Sequence, residues 1–106
     1  MPRESESPIA CRMDALSPQQ RSRRSEILDL IRPRVCRVSE TKDGVQFEWA
    51  GGDDLPALIG EFVALESRCC PFIRFRMDVE AERGPILLRL EGREGVKDFL
   101  RSTFLA

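Results

Sequence analysis

The stretch VQFEWAGGDDLPALIGEFVALESRCCPFIRFRMDV, residues 45–79, decides the fold. Val45, Phe47 and Trp49 alternate with Gln46 and Glu48, the period of a strand with one apolar face. Gly51, Gly52, Asp53 and Asp54 break that pattern and offer a helix cap, with Pro56 inside the tolerated first turn. Leu55, Leu58, Ile59, Phe62, Val63 and Leu65 then recur at helical spacing, and Pro71 ends the run. Phe75, Met77 and Val79 alternate with Arg74, Arg76 and Asp78, so the period returns to two. The stretch is strand, helix, strand.

Upstream, Ser17, Pro18 and Gln20 predict a helix start: a Ser cap, Pro in the first position and Gln placed to close a capping box. This helix should run to about residue 32, stopped by Pro33, with Ile27, Leu30 and Ile31 buried and the polar half, residues 19–24, in water. Cys36 and Val38 should then face the core from a strand whose other side carries Arg37 and Ser39. A turn at Lys42, Asp43 and Gly44 closes a hairpin with the strand that begins at Val45. Downstream, Glu82, Arg83, Gly84 and Pro85 form a turn into a strand with Ile86, Leu88 and Leu90 on one face. A last helix over residues 94–105 offers Val96, Phe99, Leu100 and Phe104 to the core.

The order predicts an α+β fold: a helix followed by two strand-strand-helix units, with a four-stranded, largely antiparallel sheet covered by helices on one face. The other face reads Gln, Glu, Arg and Asp and can meet water. At 106 residues the chain suits one hydrophobic core, assigned to residues 11–106, behind a flexible tail of residues 1–10 rich in Ser, Pro and charge.

Composition excludes several classes. The 17 Lys and Arg nearly cancel the 18 Asp and Glu, so the field that generic nucleic-acid binding needs is missing. The open sheet face also lacks the aromatic platform of a base-stacking reader. With neither His nor Tyr, the commonest general base and the commonest zinc ligand are absent. No secretory or membrane-spanning stretch is present, so a cytoplasmic protein that uses neither membrane nor nucleic acid is expected. In that compartment four cysteines are ligands, reactive groups or core residues rather than disulfides.

Chemistry concentrates at Glu66, Ser67, Arg68, Cys69, Cys70, Pro71. Cys69 falls seven residues after Phe62, on the core side of the helix, and Cys70 four after Glu66, on the same edge. In a continuing helix their side chains diverge by about 100°. Pro71 pushes Cys70 out of the helical region, which lets the two sulfurs converge. Adjacent thiolates select a soft metal or metalloid ion, Cu(I), Hg(II) or As(III), whereas zinc wants more ligands than the motif supplies. The negative end of the helix disfavours a free thiolate, so a compensating cation is required: Arg68, Arg74 or Arg76 folding back, or the bound ion itself. Cys11, in an apolar fragment just before the Ser17 cap, is the best third ligand. Cys36, in phase with Val38, is expected in the core as a small hydrophobe. Glu66 and Arg68 are candidates for the shell around the ligands, although a Glu on a helix edge is ordinarily solvated.

Glu66, Cys69, Cys70, Pro71, Phe72 and Phe75, with Gly84, Pro85 and Ile86 and the run from Glu94 to Leu100, resemble a group of small bacterial proteins that share a Glu-x-x-Cys-Cys-Pro-Phe motif. The resemblance covers most of the ordered chain and implies no particular activity. A looser, local resemblance is to organomercurial lyase, which breaks carbon–mercury bonds with two cysteines and a carboxylate. Cys69, Cys70 and Cys11 with Glu66 would match those roles, but the rest of that family's pattern is missing. The likeness therefore implies mercury as an ion to test and does not imply lyase activity.

The preferred reading is a non-enzymatic binder of a soft ion through Cys69 and Cys70, with Cys11 as third ligand and a metal ion or thiol-reactive small molecule as partner. Two alternatives stand beside it. One is a thiol-dependent enzyme or redox protein using Cys69 or Cys70 with Glu66, which requires a low thiol pKa. The other is a protein-interaction module whose cysteines are core filler. Sequence leaves the oligomeric state open.

Overall fold

The computed structural model describes residues 8–105, so most of the expected tail, residues 1–7, lies outside the described residues. Three helices and four strands follow in the order α1 (Pro18–Ile31), β1 (Val35–Glu40), β2 (Gly44–Trp49), α2 (Leu55–Cys69), β3 (Arg74–Val79), β4 (Ile86–Glu91), α3 (Val96–Leu100). The strands form one antiparallel sheet in the order β1-β2-β4-β3. This is the α+β architecture that the periodicities predict.

The sheet order follows from strand composition. β2 and β4 carry the most apolar faces, and Val45, Trp49, Ile86, Leu88 and Leu90 are all buried. These two strands pair at the centre, Val45 opposite Leu90 and Trp49 opposite Ile86. β1 and β3, richer in Arg and other polar residues, are left at the edges. Gly44 allows the close meeting of the β1–β2 turn with β4, because a Cβ there would sit 1.8 Å from the Leu90 carbonyl oxygen.

α1 begins as expected: Ser17 accepts from the Gln20 N–H while the Gln20 side chain accepts from the Ser17 N–H. Its buried stripe differs by one position. Ile27 and Ile31 are buried, but Leu30 is 47% exposed, because α1 packs on α2 along the line of residues 27 and 31. α2 buries Leu55, Ile59, Phe62, Leu65, Glu66 and Cys69. Asp54 holds the cap position without a side-chain capping bond, its carboxylate accepting instead from Arg34 at 2.8 Å.

Two expectations are corrected in β1 and at the C-terminal end. A bulge between Val35 and Arg37 shifts the register, so Val35 opposes Trp49, Arg37 opposes Glu48 and Val38 opposes Phe47. Cys36 is the residue the bulge leaves over: it is exposed, and its thiol donates to the Glu48 carbonyl at 3.3 Å, so it is not a core hydrophobe. Val38 shares Phe47's face yet is 46% exposed, since an edge strand is poorly covered. The last helix is shorter than residues 94–105. It starts after Gly95, whose φ of 95° only glycine adopts easily, and residues Arg101–Leu105 form a wider π-type turn. Lys97 and Arg101 tie this end to β1, through the Thr41 carbonyl and the Glu40 carboxylate. No helix among the described residues is long and apolar enough to cross a membrane.

Candidate metal centre

Three chain segments meet at the end of α2. Pro71 prevents the helix from continuing, and Cys70 leaves it at φ −127°, ψ 67° while its N–H still reaches the Glu66 carbonyl at 2.8 Å. The Cys70 carbonyl then accepts from Ile73, closing a turn that leads into β3. Phe72, edge-to-face with Phe99 at a centroid distance of 5.1 Å, fixes this turn against α3.

The second segment precedes α1. Leu16 is buried and Ile9 packs against the core, so the chain between them crosses the end of α2. There the Arg12 N–H donates to the Cys69 carbonyl at 2.8 Å, which satisfies one of the carbonyls a helix end leaves open. The same crossing brings the Cys11 sulfur to 3.3 Å from the Cys70 sulfur. Residues 59 positions apart thus present two thiols to each other.

α1 supplies the third part. Glu66, expected in solvent, is fully buried. Its carboxylate is gripped by Arg24, with Nε at 2.5 Å from Oε2 and Nη2 at 3.2 Å from Oε1. Arg24 in turn is only 16% exposed, although it lies in the half of α1 expected in water. Glu66 Oε1 also accepts from the Cys70 thiol at 3.4 Å. Ligand atoms of Cys11, Glu66 and Cys70 therefore lie within 4.8 Å of one another, with Cys11 exposed and the other two buried.

Cys69, Cys70, Cys11, Glu66 and Arg68 are not all drawn together. The Cys69 thiol is buried, donates to the Glu66 carbonyl at 3.5 Å and lies close enough to the Cys70 thiol to interact with it, although it is not one of the three residues whose ligand atoms all converge. The sulfurs that meet belong to Cys11 and Cys70. Arg68 is exposed on the last turn of α2, and Arg76 lies on the outer strand 3.8 Å from Glu91. The compensating cation is Arg24, which sequence reading missed. A signal existed: Arg24 sits three residues before Ile27 and seven before Ile31, in line with the buried stripe, just as Glu66 lies four after Phe62 on α2.

The electrostatics hold the two buried thiols, Cys69 and Cys70, in their protonated form. Burial pushes the Cys70 thiol well above the usual range, and its hydrogen bond with Cys11 and the Glu66 charge push the same way. Burial and the Glu66 charge also raise Cys69, only partly offset by its hydrogen bond with Cys70 and by Arg24. For Arg24 burial acts to lower the pKa, but hydrogen bonding and attraction from Glu66 outweigh it and hold the guanidinium charged. An activated thiolate nucleophile needs the opposite shift at Cys69 or Cys70. Two sulfurs and one carboxylate oxygen, converging with an exposed edge at Cys11, suit capture of a metal ion, which displaces thiol protons as it binds. The chain matches no family model, no curated protein and no solved structure in the comparisons made.

Proposed function

We propose that this protein captures a thiophilic metal or metalloid ion, in the reducing setting of the cytoplasm, through the thiolates of Cys11 and Cys70. The observation that carries the reading is the 3.3 Å approach of these two sulfurs beside a buried carboxylate. Sulfur donors select the Hg(II), Cu(I) and As(III) class on softness alone. Uptake releases the thiol protons, and release of the ion proceeds by ligand exchange at Cys11, the exposed member. Cys69 supports the site by closing the last turn of α2 instead of supplying a donor.

Native mass spectrometry of the reduced full chain with one equivalent of Hg(II), Cu(I) or arsenite tests the reading. One ion per chain is expected, lost in Cys11→Ser and in Cys70→Ser. Absence of any adduct, or an equal adduct in both variants, contradicts it. The enzyme alternative loses ground with the raised thiols of Cys69 and Cys70.

A further inference from the structure

The geometry points to a divalent cation bound by three protein ligands, Cys11, Cys70 and Glu66, in a four-coordinate site whose fourth position is left to water or an incoming ligand. This rests on the reading of Cys11 and Cys70 as thiolate ligands, and it names the ion class that the whole donor set fits.

Distances carry the first step. In a tetrahedral site with metal–sulfur bonds near 2.3 Å, two sulfurs lie roughly 3.8 Å apart, and a sulfur and a carboxylate oxygen roughly 3.6 Å. The corresponding separations here are 3.3 Å for Cys11 and Cys70 and 3.4 Å for Cys70 and Glu66 Oε1. A few tenths of an ångström of outward movement brings these two to the tetrahedral values, and the third pair, Cys11 and Glu66, lies within 4.8 Å. A linear two-sulfur ion needs the sulfurs roughly 4.6 Å apart on the same bond length. Both segments resist that larger separation: the Cys70 N–H is tied to Glu66, and Arg12 is tied to Cys69, each at 2.8 Å.

Charge carries the second step. Two thiolates and a carboxylate make three negative charges, and Arg24 supplies one positive charge against Glu66. A divalent ion brings the cluster to neutrality, which matters because Glu66 and Cys70 are fully buried and an uncompensated buried charge is costly. A monovalent ion leaves the cluster negative. The carboxylate oxygen, a poor partner for the softest ions, is an ordinary ligand for zinc-like ones. The apparent shortage of zinc ligands in the Cys69–Cys70 motif disappears once Cys11 and Glu66 join Cys70.

Co(II), a spectroscopic stand-in for Zn(II), tests this on the reduced full chain, with Cd(II) as a second probe. The expected result is one Co(II) per chain, with the strong visible bands of four-coordinate Co(II) and sulfur-to-metal charge transfer, both abolished in Cys70→Ser. Affinity should fall about tenfold or more in Glu66→Gln. Because that variant leaves Arg24 without its partner, Glu66→Asp, which keeps the charge and shortens the reach, is measured beside it, with circular dichroism to establish folding. Six-coordinate Co(II) bands in the wild type, or affinity unchanged in both folded variants, would overturn the three-ligand site. Uptake of Hg(II) or Cu(I) by the sulfurs without uptake of Co(II) or Cd(II) would overturn it too, and leave the capture of a thiophilic ion standing. Failure to bind any of these ions would remove both.

Discussion

At the scale of single residues, the Arg24–Glu66 pair carries the site. It joins α1 to α2 through a carboxylate with no exposed surface, so removing one partner leaves the other without compensation. Arg24→Met should cost about 3 kcal/mol in urea unfolding, and Arg24→Met with Glu66→Leu should recover most of it, the pattern of a buried ion pair. An exposed pair would lose under about 1 kcal/mol and show no recovery. Cys70 gives a pH prediction. Its folded pKa lies above that of the unfolded chain, so the folded state favours the protonated thiol. The stabilisation is present below the unfolded value, about pH 8.5, and is lost as pH rises beyond it. Unfolding free energy of the metal-free chain should therefore fall between about pH 8 and pH 10, and fall less steeply in Cys70→Ala. Equal slopes would contradict the burial of that thiol. Both residues were partly legible from spacing. Glu66 and Arg24 each fall in line with a buried stripe, but a charged side chain there reads as solvated until its partner from another helix is known.

At the scale of elements, the helix break does the positioning. Pro71 was legible as a stop, and with it the departure of Cys70 from helical geometry. Spacing along α2 did not reveal that this departure brings Cys70 to Cys11, because the segment before α1 docks across the helix end through the Arg12–Cys69 hydrogen bond. Pro71→Ala lets Cys70 return to the helix, and uptake of the ion should weaken about tenfold or more while the chain stays folded. Unchanged affinity would show that the break is not what aims the thiol. β1 shows the other kind of miss: one bulged residue, Cys36, exchanges the faces of the residues before it relative to those after it, and no residue type in Val35, Cys36 and Arg37 announces it. The β3–β4 turn is legible as a turn but strained in detail, with Glu82 at φ 60° and Arg83 at φ 58°. Glu82→Gly should raise stability by about 1 kcal/mol, measured by chemical unfolding, since glycine meets no steric cost there.

At the scale of the molecule, the architecture was written in the alternation of period two and helical spacing, whereas the sheet order was not read from the sequence and is accounted for by the apolarity of the strands only once the pairing is known. Val45, Phe47 and Trp49 with Ile86, Leu88 and Leu90 make β2 and β4 the natural centre, while β1 and β3 stay outside. The site was legible in its chemistry and not in its membership. Cys69 and Cys70 are neighbours in sequence, yet the sulfurs that face each other come from segments 59 residues apart, a contact that only the packing of the N-terminal segment on α2 creates. A direct comparison of Cys11→Ser with Cys69→Ser, each titrated with the thiophilic ion that the wild type takes up, tests the central claim. The account predicts that Cys69→Ser retains one ion per chain near wild-type affinity and that Cys11→Ser loses it; retention in Cys11→Ser with loss in Cys69→Ser would contradict it.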